Sequence, residues 1–392
     1  MSRRVLLAHS MLWPNIARLA MGFRKAGFSV DAIAPAAHPI HQMDSCGRNF
    51  TYQPKSAYRA LRDAIYASRP DIIVPCDDRV VSHLHRLYEE ASEDGDDWPD
   101  KPWLAALVAR SLGSPRSFHL VRSRSLLCTL GELPDVHVPN TAPVDSLALL
   151  RDWIQQNGLP AVLKLDGSSG GRDVILIRKP TDIVPGFLHI RLRRSALRHF
   201  KSLLDGDPEP FFTARQFAPE RVSAQSYVDG KVANCAIACW RGDVLASVAV
   251  EVIQSRGAFG LATVVRRVQG EAMVATARSV ARHLQLSGLF GFDFVIDHIT
   301  NRPQLIEINP RATQINHLPG HDGSNMFSAL FAALCNQPVT SSTERMTAEE
   351  VALFPQEWQR DPGSAWLSKA YHDVPRDLPE LLKYYGYQSG AP

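Results

Sequence analysis

Apolar positions in the first 75 residues switch between two periods. Arg4 to His9, Val30 to Ala34 and Asp71 to Pro75 are short apolar runs that read as strands, whereas Ile16 to Ala26 and Ser56 to Ser68 repeat at helical spacing. Gly27 stops the first helix. This alternation predicts βαβ units, hence a Rossmann-like parallel sheet with helices on its faces. Arg79 to Ala91 continues as a helix, and the acidic Glu93 to Asp97 run reads as a surface loop.

Further along, the pattern loosens and then sharpens. Residues 103 to 130 read as helical with Pro115 interrupting, Pro134 to Pro143 as a connector, and Val144 to Gln156 as a helix that ends at Gly158. Within Leu159 to Ile177, two apolar strands flank a Gly/Ser loop. Ser226 to Ala238 and Val244 to Ile253 read as antiparallel strands around Arg241-Gly242-Asp243, followed by a loop at Arg256 to Gly260. Thr263 to Arg267 leads into a helix at Glu271 to Gln285. The sharpest pattern is Leu289 to Asp297, a polar turn, then Gln304 to Arg311, which is a hairpin. A helix over Ser324 to Leu334 follows, and the polar C-terminal part carries no readable chemistry.

The hairpin is where the candidate chemistry concentrates. A turn near residues 300 to 301 puts Asp293 opposite Glu307, and the period of two puts Asn309 and Arg311 on the face of Glu307. Opposed carboxylates destabilise each other unless a cation sits between them, and hard oxygen donors suit Mg²⁺. A second candidate is Lys164, a lysine inside an otherwise apolar strand, whose desolvation requires an anionic partner. Ser168-Ser169-Gly170-Gly171 follows it and lets backbone N–H groups approach phosphate oxygens. This is not a Walker loop, because the lysine precedes the glycines. Pro75-Cys76-Asp77-Asp78 closes a strand where open α/β sheets place ligands, although Asp77 and Asp78 also suit helix N-capping. His9 to Pro14 after the first strand lacks Gly-x-Gly-x-x-Gly, which argues against a dinucleotide site.

Composition narrows the class. With 392 residues and 45% hydrophobic content, the chain builds two or three packed units. A net charge of +3 does not suggest nucleic-acid binding. The basic run from His189 to Lys201 is the local exception and reads first as a solvated helix face, with an anion site as the alternative. No apolar run has membrane-span length and Met1 to His9 is too short for a signal peptide, so a cytoplasmic location is the expectation. Cys46, Cys76, Cys128, Cys235, Cys239 and Cys335 show no Cys-x-x-Cys pair and are expected to be free thiols.

Phe292-Asp293-Phe294 followed by Glu307-Ile308-Asn309-Pro310-Arg311 resembles the metal-binding end of the ATP-grasp superfamily, and Lys164 with the loop after it is similar to that family's phosphate-binding arrangement. The resemblance spans most of residues 1 to 335. It implies a Rossmann-like pre-ATP-grasp domain over residues 1–110, an ATP-grasp domain of two α+β subdomains over 111–340 with its lid at about 155–220, and a C-terminal extension over 341–392. It further implies ATP with Mg²⁺ or Mn²⁺ as cofactors, and small-molecule carboxylate and amine substrates joined through an acyl phosphate with release of ADP. Neither nucleic acid nor a membrane is an expected partner, and a homodimer is allowed. The metal ligands implied are Asp293, Glu307 and Asn309; the catalytic residues are Lys164, Arg311 and Arg266. Nucleotide contacts fall to Lys164, Ser168, Ser169, Gly170, Gly171, Arg124, Gln216, Phe217, Ala218 and Glu220. Arg124 stands where many members have a lysine, and Gln216 where the hinge strand usually has an acidic residue. These departures leave two alternatives: a nucleotide-binding module that acts through a partner, or acyl-phosphate chemistry with a nucleophile other than an amine.

Overall fold

The computed structural model describes residues 3–13, 15–44, 46–93, 100–165, 174–191, 221–257, 260–338 and 346–388. Three sheets organise them. The first joins β1 (Arg4–Ala8), β2 (Ser29–Ala34), β3 (Asn49–Thr51) and β4 (Ile72–Pro75) in the all-parallel order β3-β2-β1-β4. Strand parity sorts its side chains: Val5 and Leu7 pack with Ile16, Leu19 and Phe23 of the helix Asn15–Lys25, whereas Leu6 and Ala8 pack with Leu61, Ile65, Val80 and Leu84 from helices on the other face. Both faces are therefore covered, as a parallel sheet requires.

The second sheet is antiparallel, in the order β5-β8-β6-β7, with strands β5 (Thr141–Pro143), β6 (Ala161–Leu165), β7 (Val174–Ile177) and β8 (Val222–Ser226). Leu150 and Trp153 of the helix Leu147–Asn157, with Ile183, Phe187 and Ile190, pack against Ala161, Leu163 and Ile177.

The third sheet has seven strands in the order β13-β12-β9-β10-β11-β14-β15: β9 (Gly230–Trp240), β10 (Asp243–Ser255), β11 (Ala262–Val268), β12 (Gly288–Asp297), β13 (Pro303–Asn309), β14 (Glu350–Leu353) and β15 (Tyr371–Asp373). The helix Glu271–Leu284 covers one face. The helix Met326–Cys335 covers the other and also meets the first sheet's helix. That contact depends on Gly22, where a Cβ would stand 2.3 Å from the Phe327 ring. One apolar core therefore runs from the first sheet into the third.

The architecture is the expected α/β plus α+β arrangement. Two places differ from the pattern reading. The connector before Pro143 holds β5, and the segment expected as a C-terminal extension supplies β14 and β15 to the third sheet. Strands of three or four residues show too few alternations to be seen as periodic. The C-terminal strand is also tied inward: Asp373 accepts from Arg18 at 2.7 Å and lies 2.7 Å from His317 Nε2. Burial raises the Asp373 pKa, but its cationic neighbours outweigh that and hold it at about 2. Burial also pushes the His317 pKa down, against the pull of Asp373. Among the described residues, no helix is long and apolar enough to cross a membrane, and all six cysteines are free.

Candidate active site

Phe290, Phe292 and Phe294 of β12 all enter the core beneath the helix Glu271–Leu284, so Gly291 and Asp293 face the opposite way. A Cβ on Gly291 would meet the Thr313 side chain at 2.3 Å, which excludes any larger residue beside the carboxylate without a shift. The register pairs Asp293 with Glu307 and Gly291 with Asn309. Leu305 and Ile308 both enter the phenylalanine core although three positions separate them. A bulge resolves this conflict: the register shifts between Asp293 and Phe294, and Ile306 is the extra residue. The strand beyond the bulge keeps Leu305 inside while Glu307 and Asn309 face the site.

Two neighbours that the sequence did not single out complete the carboxylate surroundings. Asn234, opposite Asp293 on β9, donates to Asp293 Oδ1 at 2.7 Å, and Asn309 Nδ2 donates to Oδ2 at 3.1 Å. Burial, then the charge of Glu307, pushes the Asp293 carboxyl above its ordinary range, while the two amides oppose that shift. Gln225 of β8 accepts from Lys164 Nζ at 2.7 Å, and the carbonyl of the bulge residue Ile306 accepts from the same ammonium at 3.2 Å. Lys164 is only 6% exposed. Burial lowers its pKa to about 8; Glu307 and Asp293 act against that fall, and Arg124 adds to it. A lone amide in an apolar strand, as with Asn234 between Ala233 and Cys235, was the available signal for that residue; Gln225 lies in a strand with two serines and carried no such signal.

Arg124 and Arg311 reach the cluster from different sides. Arg124 donates to Glu307 Oε1 at 2.5 Å and to the Leu165 carbonyl at the end of β6. Arg311 donates to Asn309 Oδ1 at 3.1 Å and pairs with Asp78 at 3.1 Å. Ala312 N donates to the Pro75 carbonyl at 3.0 Å, so the end of the hairpin docks on the carboxyl edge of the parallel sheet. There Asp77 caps the helix Asp78–Ser92 through Val80 N at 3.0 Å and accepts from Ser10 N at 2.5 Å. For Asp77 the capping alternative is what the structure contains, and Asp78 serves as a partner to Arg311.

The fold thus brings together Lys164, Arg124, Asp293, Glu307, Asn309 and Arg311. It does not bring in Arg266. That guanidinium pairs with Glu350 at 2.7 Å on the exposed side of β11, because the adjacent Arg267 takes the inward position and donates to carbonyls of Pro319, Gly320, Met346 and Ala348. Ser168, Ser169, Gly170, Gly171, Gln216, Phe217, Ala218 and Glu220 lie outside the described residues, as does most of the basic run. Of its described members, Arg191 lies over the Phe187 ring, 5.3 Å from the centroid.

No group of three or more His, Cys, Asp or Glu side chains suited to a metal occurs among the described residues. The donor set is instead two carboxylates and one amide. It fits Mg²⁺, which takes one or two carboxylates and fills its remaining positions with water and phosphate oxygens. The raised Asp293 carboxyl fits as well, since a divalent cation would offset both the burial and the Glu307 charge that raise it.

A family model for an ATP-grasp domain matches residues 208–314, which include the whole hairpin. No curated protein matches the chain. Among solved structures, the biotin carboxylase domain of 2-oxoglutarate carboxylase from Hydrogenobacter thermophilus, a complex with MgADP, ADP and bicarbonate, superposes with a TM-score of 0.61 at 13% identity, covering 88% of this chain and 71% of that one. Biotin carboxylase from Campylobacter jejuni gives 0.62 at 13% identity, covering 87% and 72%. N5-carboxyaminoimidazole synthetase from Staphylococcus aureus gives 0.58 at 14% identity, covering 87% and 80%. At these identities the likeness is one of fold.

Proposed function

We propose that this chain, of which residues 208–314 match a family model for an ATP-grasp domain, is an ATP-dependent ligase that activates a substrate carboxylate as an acyl phosphate for attack by an amine, releasing ADP and phosphate. The observation that carries this reading is the convergence of Asp293, Glu307 and Asn309 with Lys164 and Arg311 at the junction of the three sheets. Asp293, Glu307 and Asn309 hold Mg²⁺ in this reading. When bound, the metal neutralises charge between neighbouring phosphate oxygens.

The remaining work falls to the chain's own side chains. Lys164, buried and fixed by Gln225 and the Ile306 carbonyl, presents a preorganised ammonium to the transferring phosphoryl group, where charge spreads over the equatorial oxygens. Its pKa of about 8 keeps it mostly protonated at pH 7. Arg311, steadied by Asp78 and Asn309, orients the carboxylate or the phosphate beside the metal ligands. Amine attack on the acyl phosphate forms the C–N bond, breaks the C–O bond to phosphate and expels inorganic phosphate; the amine's proton passes to solvent or to a carboxylate at the site. The similar structures include a biotin carboxylase domain in complex with MgADP and bicarbonate and a biotin carboxylase in complex with β-γ-ATP, which supports adenine-nucleotide-dependent chemistry at this site.

The test is product analysis. Incubation with Mg²⁺·ATP and pooled amino acids and carboxylic acids releases ADP and phosphate together, in a substrate-dependent manner. AMP and pyrophosphate would instead mean adenylation and overturn the acyl-phosphate reading.

A further inference from the structure

Two adjacent carboxylates at the carboxyl edge of the first sheet have different partners. Asp77 accepts from the backbone N–H groups of Val80 and Ser10, whereas Asp78, one residue further along, turns Oδ2 to Arg311 Nε at 3.1 Å. Arg311 Nη2 donates to Asn309 Oδ1 at 3.1 Å, Asn309 Nδ2 donates to Asp293 Oδ2 at 3.1 Å, and Asn234 holds the other oxygen of that carboxylate at 2.7 Å. A chain of polar contacts therefore runs from the first sheet to the candidate metal ligands. Within it Arg311 is pulled two ways. Its side chain is 14% exposed; burial disfavours the charged guanidinium, but Asp78 first, then Glu307 and Asp293, more than offset that cost and raise its pKa. The pull of Asp78 keeps the guanidinium at the edge of the first sheet, while Glu307 and Asp293 draw it toward the oxygens that a metal needs.

From this arrangement we infer that Asp78 is a positioning residue for the metal site and acts through Arg311, an inference that rests on the reading of Asp293, Glu307 and Asn309 as Mg²⁺ ligands. It has two effects. Asp78 gives Arg311 a carboxylate outside the ligand set, so the guanidinium does not close on Asp293 or Glu307 and compete with the metal for their charge. Through Arg311 it also fixes the Asn309 amide, whose oxygen faces the guanidinium while its nitrogen faces Asp293. A carbonyl oxygen has two lone pairs, so Asn309 Oδ1 can accept from Arg311 and coordinate a metal together. With Asp78 neutral, both constraints relax: the metal then meets a competing cation and an amide without a fixed orientation. Arginine suits position 311 better than lysine, because its fork reaches Asp78 through Nε and Asn309 through Nη2 at once. Asp78 belongs to the first sheet's edge and the ligands to the hairpin, so the metal site is complete only where Ala312 N docks on the Pro75 carbonyl.

The experiment is calorimetric titration of a non-hydrolysable ATP analogue into the whole protein, once in saturating Mg²⁺ and once in EDTA; the ratio of the two affinities reports the metal's share. Asp78→Asn, Arg311→Met and the double variant are compared with the native protein. Asp78→Asn keeps the size of the side chain, and its ratio falls about tenfold, as expected when a partner that orients a metal ligand is lost. In the Arg311→Met background the same substitution changes the ratio by less than about twofold, because the group it acts through is gone. Asp78→Glu, which keeps the charge, recovers most of the loss. A tenfold fall that persists in the Arg311→Met background makes Asp78 a distant charge and overturns the inference. A native ratio in Asp78→Asn, with a lowered melting temperature or without one, also overturns it, since the pair then only joins the two sheets. Both results leave the metal-ligand reading intact. Equal affinity in Mg²⁺ and EDTA for the native protein overturns that reading and the inference together. Should Asp78→Asn fail to fold, Arg311→Lys decides: it keeps the charge but loses the fork, and its ratio falls about tenfold. A native ratio in Arg311→Lys overturns the inference.

Discussion

Lys164 is the most exacting test of the site, because stability and function respond to it in opposite directions. Its pKa falls from 10.5 to about 8 because the ammonium is buried, a difference of about 2.5, or about 3 kcal/mol against the charged form. The unfolded chain binds more protons between those two values, so native stability rises with pH across that window, and the penalty is fully present below pH 8. Lys164→Met keeps length and removes the charge, recovering at most about 3 kcal/mol at pH 7. Against this stand the hydrogen bonds to Gln225 and the Ile306 carbonyl, each worth about 1 kcal/mol net. The variant should therefore melt at or slightly above the native temperature at pH 7 without ligand, and its relative gain should disappear by pH 10.5 as both native and unfolded chains lose the proton. Nucleotide affinity should drop by about tenfold or more, since a charge-assisted contact to phosphate is lost. Melting curves across pH with calorimetric titration of an ATP analogue measure both. A variant that melts well below the native protein at pH 7, yet binds nucleotide normally, would make Lys164 part of the scaffold and remove it from the mechanism.

Glu307→Gln should leave the fold intact and reduce Mg²⁺·ATP-dependent turnover by on the order of a hundredfold; near-native turnover in a steady-state ADP assay would exclude Glu307 as a ligand. Asp373→Asn leaves Arg18 buried without its anion and should cost about 2–4 kcal/mol, read as a lower denaturation midpoint. The sign with pH follows from Asp373's fall from 3.8 to about 2: its contribution is present above 3.8, is lost as pH falls through about 2, and so the native and variant proteins should converge in acid. Arg266→Ala should shift stability by less than about 1 kcal/mol, since its pair with Glu350 is exposed; a large loss of turnover would show that this residue reaches the site in a state other than the one described.

The sequence alone determined what strand parity can carry. The opposition of Asp293 and Glu307, and the placing of Asn309 beside them, follow from a period of two and a short turn, and both are local in the chain. Lys164 stood out because an ammonium in an apolar strand is costly wherever that strand ends up. Tertiary structure decided the rest. Whether Arg266 or Arg267 faces inward depends on which strand joins β11, and that strand, Glu350–Leu353, lies more than eighty residues further along the chain. The bulge at Ile306 was equally hidden, since it shows only when Leu305 and Ile308 share one core. Arg124 meets Glu307 across 183 residues, and Arg311 meets Asp78 only because the hairpin's end docks on Pro75. Periodicity reports which way a side chain points within its own element; which charge it meets is fixed by how separate sheets pack together, and no local pattern contains that information.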